Sequence, residues 1–366
     1  MQLENKQAIL ALVRLGGGHG ASPLPECYNW EAIKVIADEQ GLTAIVLDGI
    51  DKLPAEKRPS QVLLLEWIGD ILQNYEQRYS DYKKAIGSLA GFYNQNGYKM
   101  MVLKGYACSL DWPKPEHRPC GDIDIWQFGQ QKAADSALAK WFKSLSDSRV
   151  QGFEIDNSHH HHTVFEWRGF TVENHYDFVN VHHSKSNAEI EKVFKELGAV
   201  DSYFVELYGE KVYLPSPNLH SLFLLRHAMI EFAAGGINLR QLLDWAFFVE
   251  KHGKEVDWEW LLGRLDEFHM REFFNCINAI CVEELGFNSK IFPYVQFNPL
   301  LKDKILKDIL EPEIPNEKPK SLMIRVIWKY RRWKANEWKH KLCYEESMWS
   351  SFWSGVWNHL LKPASI

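Results

Sequence analysis

Two aspartates stand two residues apart in an otherwise apolar stretch, RPCGDIDIWQF, which occupies Arg118–Phe128. The stretch alternates with a period of two, which predicts a β-strand with Asp122 and Asp124 on one face and Ile123 and Ile125 on the other. Two carboxylates on one face repel each other unless a cation lies close to both. Hard oxygen ligands of this kind suit Mg²⁺, the metal that phosphoryl and nucleotidyl transfer use.

A third carboxylate is expected from a neighbouring strand. The segment TVENHYDF alternates in the same way and places Glu173 and His175 on one face. Glu173 lies in the middle of this predicted strand, so it is the preferred third ligand. Glu154, Asp156 and Glu166 are the alternatives, although they lie nearer to turns or strand ends. A solvated strand face without a metal is the competing interpretation of the two aspartates.

Three motifs of the chain together resemble a known family. They are Leu103-Lys104-Gly105 ahead of a short helix, Arg118 followed by Gly121-Asp122-Ile123-Asp124, and a strand with Glu173 and His175. In this combination the chain resembles the uncharacterised nucleotidyltransferase family of bacteria, part of the DNA polymerase β-like nucleotidyltransferase superfamily. The later segment GINLRQLLDW, with Arg240 and Asp244, resembles a helix of the same family. The resemblance covers most of residues 8–250.

The resemblance also implies which residues form the site. It assigns both the catalytic and the metal-binding role to Asp122, Asp124 and Glu173, with Mg²⁺ as the metal and Mn²⁺ as its substitute. It implies that the nucleotide is bound by Lys104, Gly105, Arg118 and Gly121, and His175 is a further candidate for this role. His175 shares a face with Glu173, so it would contact the substrate, orient Glu173, add a metal ligand or simply be a hydrogen-bonded histidine, and the sequence leaves these interpretations open. Gly105 would let the backbone approach the triphosphate. Lys104 and Arg118 would neutralise phosphate charge, or each would hold a neighbouring carboxylate, and the sequence leaves both interpretations open.

Two features depart from the superfamily pattern. Tyr106 follows Gly105 where a second glycine or a serine is common, and the connection from there to Asp122 is longer than usual. Both departures weaken the expectation of triphosphate binding more than that of metal binding. The expected function is metal-dependent transfer of a nucleoside monophosphate from an NTP to an unidentified acceptor hydroxyl, on a small molecule, a sugar or a protein. The alternative is a non-catalytic nucleotide-binding or interaction module that keeps the fold.

The remaining chain predicts helices on both sides of this unit, which gives an α+β class. We expect an N-terminal helical region over residues 1–80, a small mixed-sheet nucleotidyltransferase-like core over 81–215, and a helical bundle with a basic, aromatic tail over 216–366. Within the core, VQGFEID, HHHHTVFEW and FTVENHYDF are strand-like. A tight turn at Arg168-Gly169 is expected to join the last two segments.

Four consecutive histidines, His159–His162, precede one of these predicted strands. Alternation would send two of them to each face, so we expect a solvent-facing strand start rather than a metal site, with His160 or His162 bordering the cleft. The basic stretch 318–341 carries interleaved tryptophans, a pattern that fits RNA or a membrane surface. Packing of its tryptophan face on the core is the preferred interpretation. Trp349, Trp353 and Trp357 are expected to form a further packing stripe.

Composition limits the other classes of function. The net charge of −6 offers no general attraction for nucleic acid. The expected partners, an NTP and its acceptor, are those that the family resemblance implies. The N-terminal segment is too charged for a signal peptide, and no run of eighteen apolar residues is present to span a membrane. Six scattered cysteines do not suggest a disulfide framework. These features predict a cytoplasmic protein.

Overall fold

The structure is a computed structural model in which residues 2–20, 23–145, 153–182, 184–200, 202–293, 296–314, 319 and 321–345 are described. The chain divides into two compact units. The sheet unit contains the described residues of 77–110 and 120–223. The helical unit contains those of 1–76, 111–119 and 224–348. The three-part division predicted along the chain stays a prediction.

Six described strands form one mixed sheet. They are β1 (Met101–Val102), β2 (Ile123–Trp126), β3 (His162–Trp167), β4 (Phe170–His175), β5 (Ser202–Leu207) and β6 (Glu210–Pro215). Their order across the sheet is β3-β4-β2-β1-β6-β5. β2 runs parallel to β4 and β1 runs parallel to β6, while the other neighbours are antiparallel. Together with the helices, this sheet confirms the predicted α+β class.

Helices make up most of the remaining described chain. In the first part they are α1 (Gln2–Gly17), α2 (Trp30–Gln40), α3 (Thr43–Asp51), α4 (Gln61–Ile71), α5 (Arg78–Gln95), α6 (Tyr106–Ser109) and α7 (Gln131–Ser144). The later ones are α8 (Lys185–Val200), α9 (Pro217–Ala234), α10 (Leu239–His252), α11 (Trp258–Glu267), α12 (Arg271–Glu283), α13 (Pro299–Leu310), α14 (Leu322–Ala335) and α15 (Glu337–Cys343). Within the described residues, no helix combines the length and apolarity needed to cross a membrane.

Strand β2 is fixed by its apolar face. Ile123 and Ile125 are fully buried in a core that also contains Ile86 and Leu89 of α5 and Leu138 of α7. Burying each isoleucine contributes about 1.5–3 kcal/mol. Because side chains alternate along a strand, this packing turns the aspartate face of β2 away from the apolar core.

The hairpins of the sheet show where the sequence patterns succeed and fail. The predicted turn at Arg168-Gly169 is confirmed and has positive φ at both residues, as a two-residue hairpin requires. Tyr208-Gly209 forms the same kind of turn between β5 and β6, a hairpin that the sequence patterns did not predict. The strand predicted in VQGFEID is wrong over 153–156, where Asp156 makes only an isolated bridge to Val164.

In the helical unit, the described part of the basic stretch packs against its own unit. Trp338 lies 5.5 Å from Phe232 between ring centroids, and Lys339 is buried with its ammonium 2.5 Å from Asp308. The Lys304 ammonium lies over the Trp338 ring, 4.0 Å from its centroid. These contacts match the interpretation of a helix that covers a core. Trp349, Trp353 and Trp357 lie outside the described residues.

Candidate active site

The parallel pairing of β2 and β4 places two acidic residues side by side. Asp124 of β2 and Glu173 of β4 are register partners. Their carboxylate oxygens and a ring nitrogen of His175 lie within 4.8 Å of one another. Glu173 therefore lies beside Asp124 on a neighbouring strand, as the alternation of the sequence predicted. Three potential ligands converge on the face opposite Ile123 and Ile125.

The carboxylate of Asp124 is buried and compensated by cationic neighbours. The Lys104 ammonium lies 2.9 Å from Asp124 Oδ1, and His175 Nε2 lies 3.2 Å from the same oxygen. Burial alone would raise the pKa of Asp124, but Lys104 and His175 hold it well below its usual range. Lys104 therefore holds a carboxylate, one of the two interpretations left open by the sequence.

His175 links the two carboxylates. Its Nε2 also lies 3.5 Å from Glu173 Oε2, while Nδ1 lies 3.2 Å from the carbonyl oxygen of Asp177. Burial would lower the pKa of His175, but the hydrogen bonds to Asp124 and Glu173 raise it. The hydrogen bond from His175 in turn lowers the pKa of Glu173. In this arrangement both ring nitrogens of His175 donate, which fixes the ring between the strands.

Asp122 lies at the entrance to β2 and is exposed. Partial burial, and then the negative charges of Glu173 and Asp124, raise the pKa of Asp122. The Asp122 carboxylate therefore interacts electrostatically with Glu173 and Asp124, although it does not belong to the group that these two residues form with His175. An exposed carboxylate next to two buried or half-buried ones is suited to complete a site for a divalent cation that keeps several waters.

Gly105 begins the short helix α6 with φ of 55° and ψ of −99°, a conformation that favours glycine. A Cβ at this position would lie 2.2 Å from the Tyr82 hydroxyl, which donates a hydrogen bond to the carbonyl oxygen of Asp122. The glycine is thus required by close packing within the protein. At Gly121, by contrast, a Cβ would meet nothing within 4 Å. The nucleotide contacts assigned to both glycines stay predictions.

Arg118 lies in the helical unit and is engaged with a different carboxylate. Its Nε and Nη2 donate to the two oxygens of Asp244 at 2.7 and 2.9 Å, and Trp112 Nε1 donates to the same residue at 2.9 Å. Both Arg118 and Asp244 are buried. Burial would raise the pKa of Asp244, but Arg118 lowers it. The interpretation of Arg118 as a holder of a carboxylate therefore has structural support, and a phosphate contact stays a prediction.

The histidine run approaches the same face of the sheet. His162 opens β3 opposite His175, and its Nδ1 lies 3.8 Å from Glu173 Oε2. His161 lies in a bend just before β3, and ring nitrogens of His161, His162 and His175 lie within 4.8 Å of one another. Burial lowers the pKa of His161 to about 2 and that of His162 to about 4. The expectation of a solvent-facing strand start is wrong for His162, which is buried.

The alternative third carboxylates do not join this group. Glu166 is exposed and accepts a hydrogen bond from Thr171, although its charge contributes to the raised pKa of Asp122. Glu154 and Asp156 are also exposed, and Asp156 accepts a hydrogen bond from the Ser158 amide. Among the candidates, Glu173 is the one that the sheet aligns with Asp124.

A family model described as uncharacterised nucleotidyltransferase matches residues 26–286. No curated protein matches the chain. Among solved structures, a crystal structure of an antigenic nucleotidyltransferase-like protein from Paracoccidioides brasiliensis is similar, with 14% sequence identity and a TM-score of 0.35. The similarity covers 58% of this chain and 97% of that one.

Proposed function

Because the chain belongs to the uncharacterised nucleotidyltransferase family, we propose that it is a divalent-metal-dependent enzyme that transfers a nucleoside monophosphate from an NTP to an acceptor hydroxyl. The family match spans β1 to β6 and supports a role in nucleotidyl transfer. The observation that carries the proposal is the register pairing of Asp124 with Glu173. Asp122 lies close enough to both for their negative charges to raise its pKa further, beyond the effect of its partial burial.

The donor set fits the proposed metal. Asp122, Asp124 and Glu173 offer carboxylate oxygens, the ligands that Mg²⁺ and Mn²⁺ prefer. Partial burial, and then the negative charges of Glu173 and Asp124, raise the pKa of Asp122, and a divalent cation would relieve this repulsion. A bound cation supplies charge neutralisation for the triphosphate and acidifies the attacking hydroxyl. Lys104 Nζ, half-buried beside Asp124, is placed to add a further positive charge there.

The side chains have distinct tasks in the proposed reaction. The acceptor oxygen forms a bond to the α-phosphorus as the bond to the leaving pyrophosphate breaks. The hydroxyl proton passes to Glu173, whose side chain keeps 26% of its surface exposed, whereas that of Asp124 keeps 8%. His175 orients Glu173 and Asp124 through its Nε2 and is itself anchored by Asp177. These residues thus provide a general base and a fixed pair of oxygen ligands.

Transfer is best tested with NTPs labelled at the α-phosphorus. All four NTPs are incubated with Mg²⁺ or Mn²⁺ and with pools of small molecules, sugars and proteins, including this protein itself. We expect a label on one class of acceptor that disappears with a chelator and in Asp122→Asn. Glu166→Gln is the matched control because it also removes an exposed carboxylate from the same sheet. Transfer that survives Asp122→Asn but not Glu166→Gln would overturn the assignment.

A second candidate function is a nucleotide-binding module without catalysis. Two observations favour it: Lys104 already compensates the charge of Asp124 at 2.9 Å, and the ring of Tyr106 is buried where a small hydroxyl residue would touch phosphate. Calorimetry separates the two candidates. Saturable, magnesium-dependent NTP binding with no transfer to any acceptor supports the module, whereas label transfer rules it out.

A further inference from the structure

The histidine run contributes imidazole donors to a cluster that adjoins the proposed magnesium site and shares Glu173 with it. Ring nitrogens of His161, His162 and His175 all lie within 4.8 Å of one another. In a tetrahedral zinc site with Zn–N bonds of about 2.0–2.1 Å, neighbouring ligand atoms lie about 3.4 Å apart. The three nitrogens therefore need to close by at most about 1.4 Å, which rotation of imidazole rings about χ1 and χ2 can supply.

Two of these rings have a buried nitrogen that makes no hydrogen bond within the described part of the chain. Nδ1 of His161 and Nδ1 of His162 are buried and have no hydrogen-bond partner among the described residues. A buried polar atom without a partner costs about 1–3 kcal/mol. Two such atoms on adjacent residues, in a group of three imidazoles whose ring nitrogens lie close together, are the arrangement expected of a cation site.

The backbone holds the cluster in place. His161 is not in strand geometry: its carbonyl oxygen accepts from the amides of Tyr176 and Asp177 at 3.0 and 3.1 Å, which ties the bend before β3 to the end of β4. This bend is why two successive histidines converge although a strand would send them to opposite faces. The carbonyl of Asp177 also accepts from Nδ1 of His175, the support that metal-binding histidines usually have. A cation bound at Nε2 of this ring would replace its hydrogen bond to Asp124 Oδ1, which lies 3.2 Å away.

We propose that His161, His162 and His175 form a site for a divalent transition cation of the zinc class, with Glu173 Oε2 as the fourth ligand. Glu173 Oε2 lies 3.8 Å from His162 Nδ1 and 3.5 Å from His175 Nε2, so it faces both rings. Imidazole nitrogens select zinc-class ions over Mg²⁺, which prefers oxygen. The site goes beyond nucleotidyl transfer. It shares Glu173 with the proposed magnesium site, but zinc binding does not require transfer.

Zinc binding to the full-length protein tests this site in the absence of nucleotide. After dialysis against a chelator, Zn²⁺ is titrated in competition with a chromophoric chelator. We expect a single tight site per chain and at least a tenfold loss of affinity in His161→Gln, since even outer-sphere partners of metal ligands contribute about 10–100-fold. His182→Gln is the control because His182 is exposed and lies outside the cluster. Equal affinity of the wild type, His161→Gln and His182→Gln would overturn the proposal.

Two further measurements keep the result independent of folding and of the proposed reaction. X-ray absorption at the zinc edge of the wild-type protein should show scattering from imidazole rings, and fewer than two imidazoles, or any sulfur ligand, would contradict the site. Asp122→Asn should bind Zn²⁺ like the wild type while losing magnesium-dependent transfer. Zinc binding without any transfer would refute the proposed enzyme alone, whereas transfer without zinc binding would refute this inference alone.

Discussion

Neutralising Asp124 should destabilise the protein, whereas neutralising Asp122 should not. In Asp124→Asn the Lys104 ammonium loses the carboxylate 2.9 Å away, and His175 loses its partner at 3.2 Å. Removing one member of a buried ion pair costs about 3–5 kcal/mol. Because the Lys104 side chain keeps 23% of its surface exposed, water recovers part of this cost, and we expect a loss of about 2–4 kcal/mol.

The matched variant Asp122→Asn removes a charge from the same face at an exposed position. The pKa of Asp122 is raised by partial burial and by the negative charges of Glu173 and Asp124, so its ionised form is disfavoured in the folded state. Removing this charge should leave the free energy of unfolding unchanged or raise it by less than about 1 kcal/mol, since solvent screens exposed charges. Both variants should lose nucleotidyl transfer activity. The free energy of unfolding is therefore the quantity that distinguishes the buried Asp124 from the exposed Asp122.

Scanning calorimetry measures the difference. At about 2–4 °C per kcal/mol, a loss near 3 kcal/mol lowers the melting temperature by about 6–12 °C in Asp124→Asn. Combining Asp124→Asn with Lys104→Met should cost less than the sum of the single variants, because the second change removes the unpaired ammonium. A wild-type melting temperature for Asp124→Asn, or strictly additive losses in the double variant, would refute the buried ion pair.

Three other substitutions probe the surroundings of the site and the helical unit. Gly105→Ala forces an L residue to φ of 55° and brings Cβ to 2.2 Å from the Tyr82 hydroxyl. We therefore expect the free energy of unfolding, measured with denaturant, to fall by about 2–5 kcal/mol. A smaller fall than that of the control Gly121→Ala would contradict this expectation. Arg118→Lys keeps the charge but loses one of the two hydrogen bonds to Asp244. This change should lower the free energy of unfolding by about 1.5–3 kcal/mol. An unchanged melting temperature would contradict a stabilising pair between Arg118 and Asp244. Burial would lower the pKa of His117, but the hydrogen bond to Asp48 raises this pKa above its ordinary value of 6.5. The stabilisation of the fold by protonated His117 is therefore complete below pH 6.5 and is lost as the pH rises through the raised pKa. The stability difference between the wild type and His117→Gln should therefore shrink from pH 6 to 9, and a constant difference would exclude the pair.

Alternation along two strands was sufficient to predict the acidic group. Asp124 is flanked by two apolar residues and Glu173 by Val172 on one side, and strand periodicity alone decides which side chains share a face. It was not sufficient to predict that β2 and β4 pair in this register, because register depends on contacts between segments distant in the sequence. The resemblance to a known family implied that Glu173 completes the site, but it did not give the register of the two strands.

Other features could not be predicted, for identifiable physical reasons. The convergence of His161 with His162 depends on a bend that two backbone amides after β4 stabilise, and no local pattern in a run of histidines indicates it. The pairing of Arg118 with Asp244 joins residues 126 positions apart, and propensity carries no information about such partners. The second hairpin turns at Tyr208-Gly209, which lacks the Asn-Gly or Asp-Gly pair that most strongly indicates a two-residue turn.

The central claim is that Asp122, Asp124 and Glu173 bind a divalent cation together with a nucleoside triphosphate. Crystals grown with Mn²⁺ and a non-hydrolysable NTP test it directly through the anomalous scattering of manganese. We expect a peak within about 2.5 Å of carboxylate oxygens of both Asp122 and Asp124, with the triphosphate beside it. A bound nucleotide with no peak at these oxygens, and with Lys104 still paired to Asp124, would contradict the claim.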